Sequence, residues 1–138
     1  MNFMKPTEIT IRYAETDQMG VVHHGNYAQY LEIARIDWLD FLGFPYYDLE
    51  KEGIMLPVVQ MVVNYKKPIH FGDTIFIHTK LKAMPTAKVI FDFDIYNQNK
   101  ELTSTACTTL VFINSTTRKP IVCPEKILNA IKKFNLVS

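Results

Sequence analysis

Between residues 27 and 42 the hydrophobic pattern takes a helical period, and the segment is apolar on more than one side. At about 100° per residue, Tyr27, Leu31, Ala34, Trp38, Phe41 and Leu42 fall on one narrow stripe. Tyr30, Ile33, Ile36 and Leu39 lie outside it. A helix of this composition is poorly suited to an open surface, so other structure has to cover most of it. Asn26 is the expected N-cap, Gly43 is a natural C-terminal stop, and Pro45 discourages continuation.

The rest of the chain supplies the cover, because almost everything else reads as strand. Residues 8–13 alternate Ile9, Ile11 and Tyr13 against Glu8, Thr10 and Arg12, the pattern of a half-buried strand. Residues 46–52 fit a short helix closed by Gly53. Strands are expected at 55–65, 74–82, 89–96 and 102–113, punctuated by Pro68, Gly72-Asp73, Pro85 and the hairpin-like Asn97-Gln98-Asn99-Lys100. Pro124 can open a last short helix with Ile127, Leu128 and Ile131 on its apolar side. A run of strands after one long helix argues for an α+β fold with an antiparallel sheet. The economical arrangement is a curved sheet wrapped around the helix.

The chain has 138 residues, one domain's worth, and 48% of them are apolar, enough for a core without disulfides or metals. Lys plus Arg number 15 against 14 Asp plus Glu, so a large nucleic-acid footprint is not expected. Cys107 and Cys123 are too far apart for a CxxC motif and read as reduced thiols in a cytoplasmic protein. No apolar run approaches the roughly 20 residues that span a bilayer. The segment 1–7 carries Lys5 and Pro6 with no apolar h-region and is not read as a signal peptide.

Chemistry concentrates between Tyr13 and Tyr27. Asp17 sits on the strand-to-helix loop, seven residues before His24 at the helix start. A carboxylate is thereby joined to backbone N–H groups that have no intrahelical partner and face developing negative charge. Acyl transfer needs both parts, a base or nucleophile and an oxyanion hole. The plain alternatives are that Asp17 is an ordinary turn residue and that the His pair is scaffold. His23 and His24 are adjacent and have no HExxH or Cys/His grouping behind them, so no metal site is expected. Glu32 and Arg35 suit a helix-face ion pair. His70 and His78 read as incidental turn and strand residues.

The motif Asp17-xx-Gly20-Val21-Val22-x-His24-xx-Tyr27, followed by Glu32-Ile33-Ala34-Arg35, resembles the signature of hot-dog-fold acyl-CoA thioesterases. The pattern is similar to that of the hydroxybenzoyl-CoA thioesterase family and its Tol-Pal-associated relatives. Pro68…Gly72-Asp73 before an alternating strand also fits, and the resemblance spans roughly residues 7–120. It implies a sheet of about five strands around the central helix, and hydrolysis of an acyl-CoA to free acid and CoA without a cofactor. Asp17 would be nucleophile or general base, and the His24 amide would hold the thioester oxygen. The resemblance also implies a homodimer or homotetramer with sites at the dimer interface. His23, where Tyr or Trp is common in the family, and Gly25, where a larger residue is frequent, depart from the pattern beside the oxyanion site and bear on acyl preference.

For the CoA phosphates, the basic pairs Lys66-Lys67 and Arg118-Lys119 near expected strand ends are the candidates, beside their plain reading as solvated charges. Two other function classes share the fold. One is a non-catalytic acyl-CoA binding module, which the presence of Asp17 disfavours. The other is a hydratase or dehydratase on acyl thioesters, which needs a His and a carboxylate set for proton transfer at carbon.

Overall fold

The long helix runs where its periodicity puts it. In the computed structural model, which describes residues 4–137, helix α1 spans Tyr27–Leu42. The expectation of a segment without a signal peptide falls in part on Met1 to Phe3, outside the described residues. Gly43 ends the helix at φ +90°, its N–H returning to the Asp40 carbonyl at 3.0 Å. That left-handed conformation carries a steric cost for residues with a Cβ.

The start of the helix differs from expectation. Asn26 holds the N-cap position of α1, as expected, but it already has helical backbone angles and its side chain makes no capping bond. Residues His24–Asn26 form a 3-10 turn, and the capping residue is His23, extended at φ −68° and ψ 140°. Its Nδ1 accepts the Gly25 N–H at 3.1 Å. The Asn26 amide is instead drawn to the Glu15 carbonyl at 2.7 Å.

Five antiparallel strands form the main sheet: β1 (Thr7–Thr10), β3 (Val58–Tyr65), β4 (Thr74–Leu81), β5 (Lys88–Tyr96) and β6 (Leu102–Val111). Their order is β1-β4-β5-β6-β3, and a short second ladder pairs β2 (Ile54–Met55) with β7 (Ile113–Asn114). Register follows from burial. Ile77 opposes Ile95, and Ile95 opposes Ser104; Leu81 opposes Phe91, and Phe91 opposes Thr108. All of these are buried on the inner face. His78, Asp94, Thr105 and Asn64 line up across the outer face.

The inner face and α1 share one core. Ala34 and Leu39 on α1, and Ile75, Ile77, Phe91 and Ile95 on the sheet, are fully enclosed. Trp38 meets Phe91 edge-on, with ring centroids 4.9 Å apart. Two smaller helices complete the cover. Helix α2 (Tyr46–Lys51) seats Leu49 in the core, and α3 (Glu125–Phe134) buries Ile127 and Ile131 while Phe134 stacks on Phe41. Ile33 stays 46% exposed, so one flank of α1 is uncovered in the single chain.

Three expected strands are shorter than their patterns. The first stops at Thr10 because Tyr13–Glu15 turns into a 3-10 helix, with Glu15 Oε1 accepting the Arg12 N–H at 3.0 Å. The strand at 55–65 is split at Pro57, which has no N–H for a ladder. The strand at 102–113 breaks at Phe112, whose side chain is buried. Among the described residues, no helix is long and apolar enough to cross a membrane.

Enclosure of α1 is measurable. Ala34→Leu overpacks a site with no free surface and should cost roughly 1–3 kcal/mol. Trp38→Ala should cost roughly 3–5 kcal/mol. Denaturant melts of the two variants check both values; a wild-type midpoint for Ala34→Leu would mean that the helix is not enclosed.

Candidate active site

The loop between β1 and α1 is built by its own backbone. Asp17 Oδ1 accepts the Met19 N–H at 2.8 Å and the Val21 N–H at 3.2 Å. The Asp17 N–H donates to the Val21 carbonyl at 2.8 Å, and Gly20 turns the chain at φ +75°. The side chain of Asp17 therefore closes a turn, as its plain reading expected, yet it remains exposed to solvent. Its second oxygen, Oδ2, makes no hydrogen bond among the described residues.

Val21 carries this loop to the helix start. Together with His24, Tyr27, Tyr65, Lys66 and Lys67 it lines a cleft of about 250 Å³. His24 stacks on Tyr65 with ring centroids 4.6 Å apart, and Tyr27 meets Tyr65 edge-on at 4.9 Å. The first bond of the 3-10 turn runs from Asn26 N–H to the His23 carbonyl, and the Gly25 N–H is taken by His23 Nδ1. The His24 N–H is left without an acceptor among the described residues. It is an orphan donor at a helix N-terminus, the electrostatic element an oxyanion hole requires.

Tyr27 is almost fully buried at the cleft wall. Burial pushes its hydroxyl pKa up to about 12, reinforced by Tyr65 and partly opposed by a hydrogen bond to Ser104. It is a neutral hydroxyl at working pH, not a base. Lys66 and Lys67 both donate their backbone N–H groups to the Thr103 carbonyl at 2.9 Å, and both residues line the cleft. Lys67 is paired with Glu101 at 2.5 Å.

The candidate residues do not all meet. His24, Lys66 and Lys67 share the cleft; Asp17 reaches it through Val21 and is not part of its wall. Arg118 and Lys119 lie on the turn after β7, where Arg118 approaches the Met55 sulfur at 3.6 Å, away from the cleft-lining residues. Glu32 and Arg35 form the expected ion pair, and the guanidinium lies over the Tyr46 ring at 5.0 Å, tying α2 to α1. The sequence pattern alone assigns no site role to Tyr65 or Glu15. Tyr65 stands at a strand end directly before the Lys pair, and Glu15 lies inside the motif without a role in the matched pattern.

A larger cleft, about 500 Å³, lies on the outer sheet face between Phe76, His78 and Tyr96. Its Lys80 and Asp94 neutralise each other at 2.9 Å, and no helix starts there. Size alone does not favour it over the His24 cleft, which has an orphan N–H at a helix start and adjoins the Asp17 loop through Val21. Neither cysteine has the character of a nucleophile. Burial pushes the Cys123 thiol up to about 12, and burial also raises Cys107.

Comparison with known proteins decides the family. The thioesterase-like superfamily matches residues 11–131. The chain belongs to that superfamily. It is similar to a DHNA-CoA thioesterase from Staphylococcus aureus, with 40% sequence identity and a TM-score of 0.89 over 95% of this chain and 90% of that one. A Bacillus subtilis protein provisionally named an acyl-CoA thioesterase, YneP, is 41% identical over 114 residues, 83% of each chain. The Escherichia coli acyl-CoA thioester hydrolase YbgC is 28% identical over 125 residues, 91% of this chain and 93% of that one. The α+β hot-dog fold and the thioester hydrolase activity implied by the motif both stand for this member of the superfamily.

Proposed function

We propose that the protein hydrolyses an acyl-CoA thioester at the His24 cleft, with Asp17 as nucleophile or general base and the His24 amide holding the thioester oxygen. The observation that carries this reading is the unpartnered N–H of His24 at a helix start, on a residue that lines the cleft and beside a loop that carries the exposed Asp17. Attack on the carbonyl carbon moves an electron pair onto oxygen, where the N–H and the helix dipole stabilise it. Collapse breaks the C–S bond. The leaving thiolate has a conjugate acid of pKa about 8.5, so it departs without a strong general acid. With Asp17 as base, water supplies the new C–O bond. With Asp17 as nucleophile, a mixed anhydride forms first and water then cleaves it.

An aromatic acyl group suits the cleft, whose wall includes the rings of His24, Tyr27 and Tyr65. The S. aureus relative is named for DHNA-CoA, an aromatic thioester. The working form is a homo-oligomer. Strand β3 is an open edge of eight residues carrying exposed Val58, Val59, Val62 and Tyr65. A second copy joined along β3 would cover these side chains and wall the cleft beside Tyr65. A cytoplasmic setting fits the two unpaired cysteines.

Three outcomes are expected. Asp17→Asn keeps shape while losing basicity and nucleophilicity, so turnover in a thiol-release assay with aroyl-CoA should fall on the order of 10²-fold or more. Near-normal release would eliminate both roles of Asp17. Neutralising Lys66 with Lys67 should raise KM more than it lowers kcat, with added salt mimicking the change, whereas neutralising Arg118 with Lys119, away from the cleft, should leave KM unchanged. An unchanged KM in the Lys66/Lys67 double variant would remove the cationic hold on CoA at the cleft. Sedimentation should find the wild type at a multiple of 16.0 kDa, and Val62→Lys should shift it toward one chain. A monomeric wild type with full activity would refute the shared edge.

A further inference from the structure

We infer that Glu15 is the positioning residue of this site, holding the Asp17 loop and the His24 amide in fixed relation by anchoring both to Tyr30 and Asn26 of the helix start. The inference rests on the acyl-CoA reading of the cleft.

Glu15 accepts hydrogen bonds at three oxygens. Oε1 takes the Arg12 N–H at 3.0 Å and the Tyr30 hydroxyl at 2.9 Å. Oε2 takes Arg12 Nε and Nη2, each at 2.9 Å. The Glu15 carbonyl takes the His23 N–H at 3.0 Å and the Asn26 side-chain amide at 2.7 Å. One residue therefore joins the strand end, the turn before Asp17, the residue that caps the helix and the first turns of α1.

The geometry is directional. Tyr30 is 1% exposed and belongs to the enclosed helix, so it is a fixed reference. Glu15 rests on it, and Asp17 follows two residues later. The loop is then closed by Asp17 N–H to the Val21 carbonyl and by the Thr16–Val22 bridge. On the far side, Glu15 holds His23, whose Nδ1 takes the Gly25 N–H and so leaves the neighbouring His24 N–H as the free donor. Loop and amide have no direct bond to each other; Glu15 and the Val21 closure set their separation.

A carboxylate suits this position better than its isosteres. Ionised, it is acceptor-only and can take donors at both oxygens. Burial pushes its pKa up, but hydrogen bonds from Arg12 and Tyr30 and the Arg12 charge outweigh burial and hold it below the ordinary carboxylate value. Glutamine at this place would turn an NH₂ toward the Arg12 donors. A buried charge is poor evidence for stability alone, because desolvation offsets much of its attraction.

The test compares Tyr30→Phe, Asn26→Ala and Glu15→Gln in the full chain. Three quantities are read: kcat and KM for an acyl-CoA, the denaturation midpoint, and amide hydrogen exchange at His23 and Gly25. Misplacement of about 1 Å costs up to 10²-fold in rate, so kcat should fall about 10-fold to 100-fold while KM stays within about twofold. Exchange at His23 should accelerate at temperatures where each variant is fully folded. A stability-only role would lower the midpoint and leave kcat per folded molecule unchanged. Tyr30→Phe and Asn26→Ala with wild-type kcat and wild-type exchange would overturn the inference, and these two decide it if Glu15→Gln fails to fold. A wild type that releases no thiol from any acyl-CoA would instead overturn the hydrolase reading and with it Glu15's part in catalysis; exchange would still report whether Glu15 holds the loop.

Discussion

Burial of α1 against the inner face of the sheet is the constraint on which the other features depend. Ala34 has no exposed surface, and the small side chain sets how closely strands and helix approach. Trp38 and Phe91 fill the space beside it. Because interiors pack densely, this contact leaves α1 little freedom to shift or rotate. The loop that carries Asp17 inherits that rigidity. Tyr30 transmits it through Glu15 to Asp17's turn, and the helix start transmits it to His24. A loop of exposed residues is thus held by groups that are themselves enclosed.

The parts legible in the sequence are those that follow from periodicity. The helix from Tyr27 to Leu42 matches to the residue, and the alternation in β4 and β5 matches the buried and open faces. The errors fall where side chains compete for backbone groups. Asn is a preferred N-cap, so Asn26 is the natural choice, but here the Glu15 carbonyl claims its amide and His23 caps the turn. Alternation continued past Thr10, and nothing in it shows that Glu15 folds back onto the Arg12 N–H. Pro57 was visible as a residue that cannot donate to a ladder, yet the apolar run around it reads through.

The site was legible only in part for a related reason. The motif around Asp17 and His24 is local, and local spacing survives folding. Lys66 and Lys67 reach the same cleft because β3 ends there, and Tyr65 comes with them. Arg118 and Lys119 look equivalent to them as a charge pair. Their backbone sits on the turn after β7, where Asn114 Oδ1 accepts the N–H groups of Thr116 and Thr117, and no short-range pattern distinguishes that end of the sheet from the other. Convergence of distant segments depends on strand order, which periodicity does not specify.

The two edges of the main sheet are unequal, and that limits what the molecule can build. Edge β1 has four residues, with Thr7 hydrogen-bonded to Asp37 of α1. Edge β3 has eight and exposes a row of valines. Two copies meeting along β3 by a two-fold axis use the same patch on both sides, so the long edge is consumed in one step. What remains outward at each end is the short strand, a poor template for a further copy. Lengthening by strand addition would therefore terminate at a pair. From such a pair, a larger assembly would have to be made through faces rather than edges, and the valine row, otherwise an aggregation hazard, would be self-limiting.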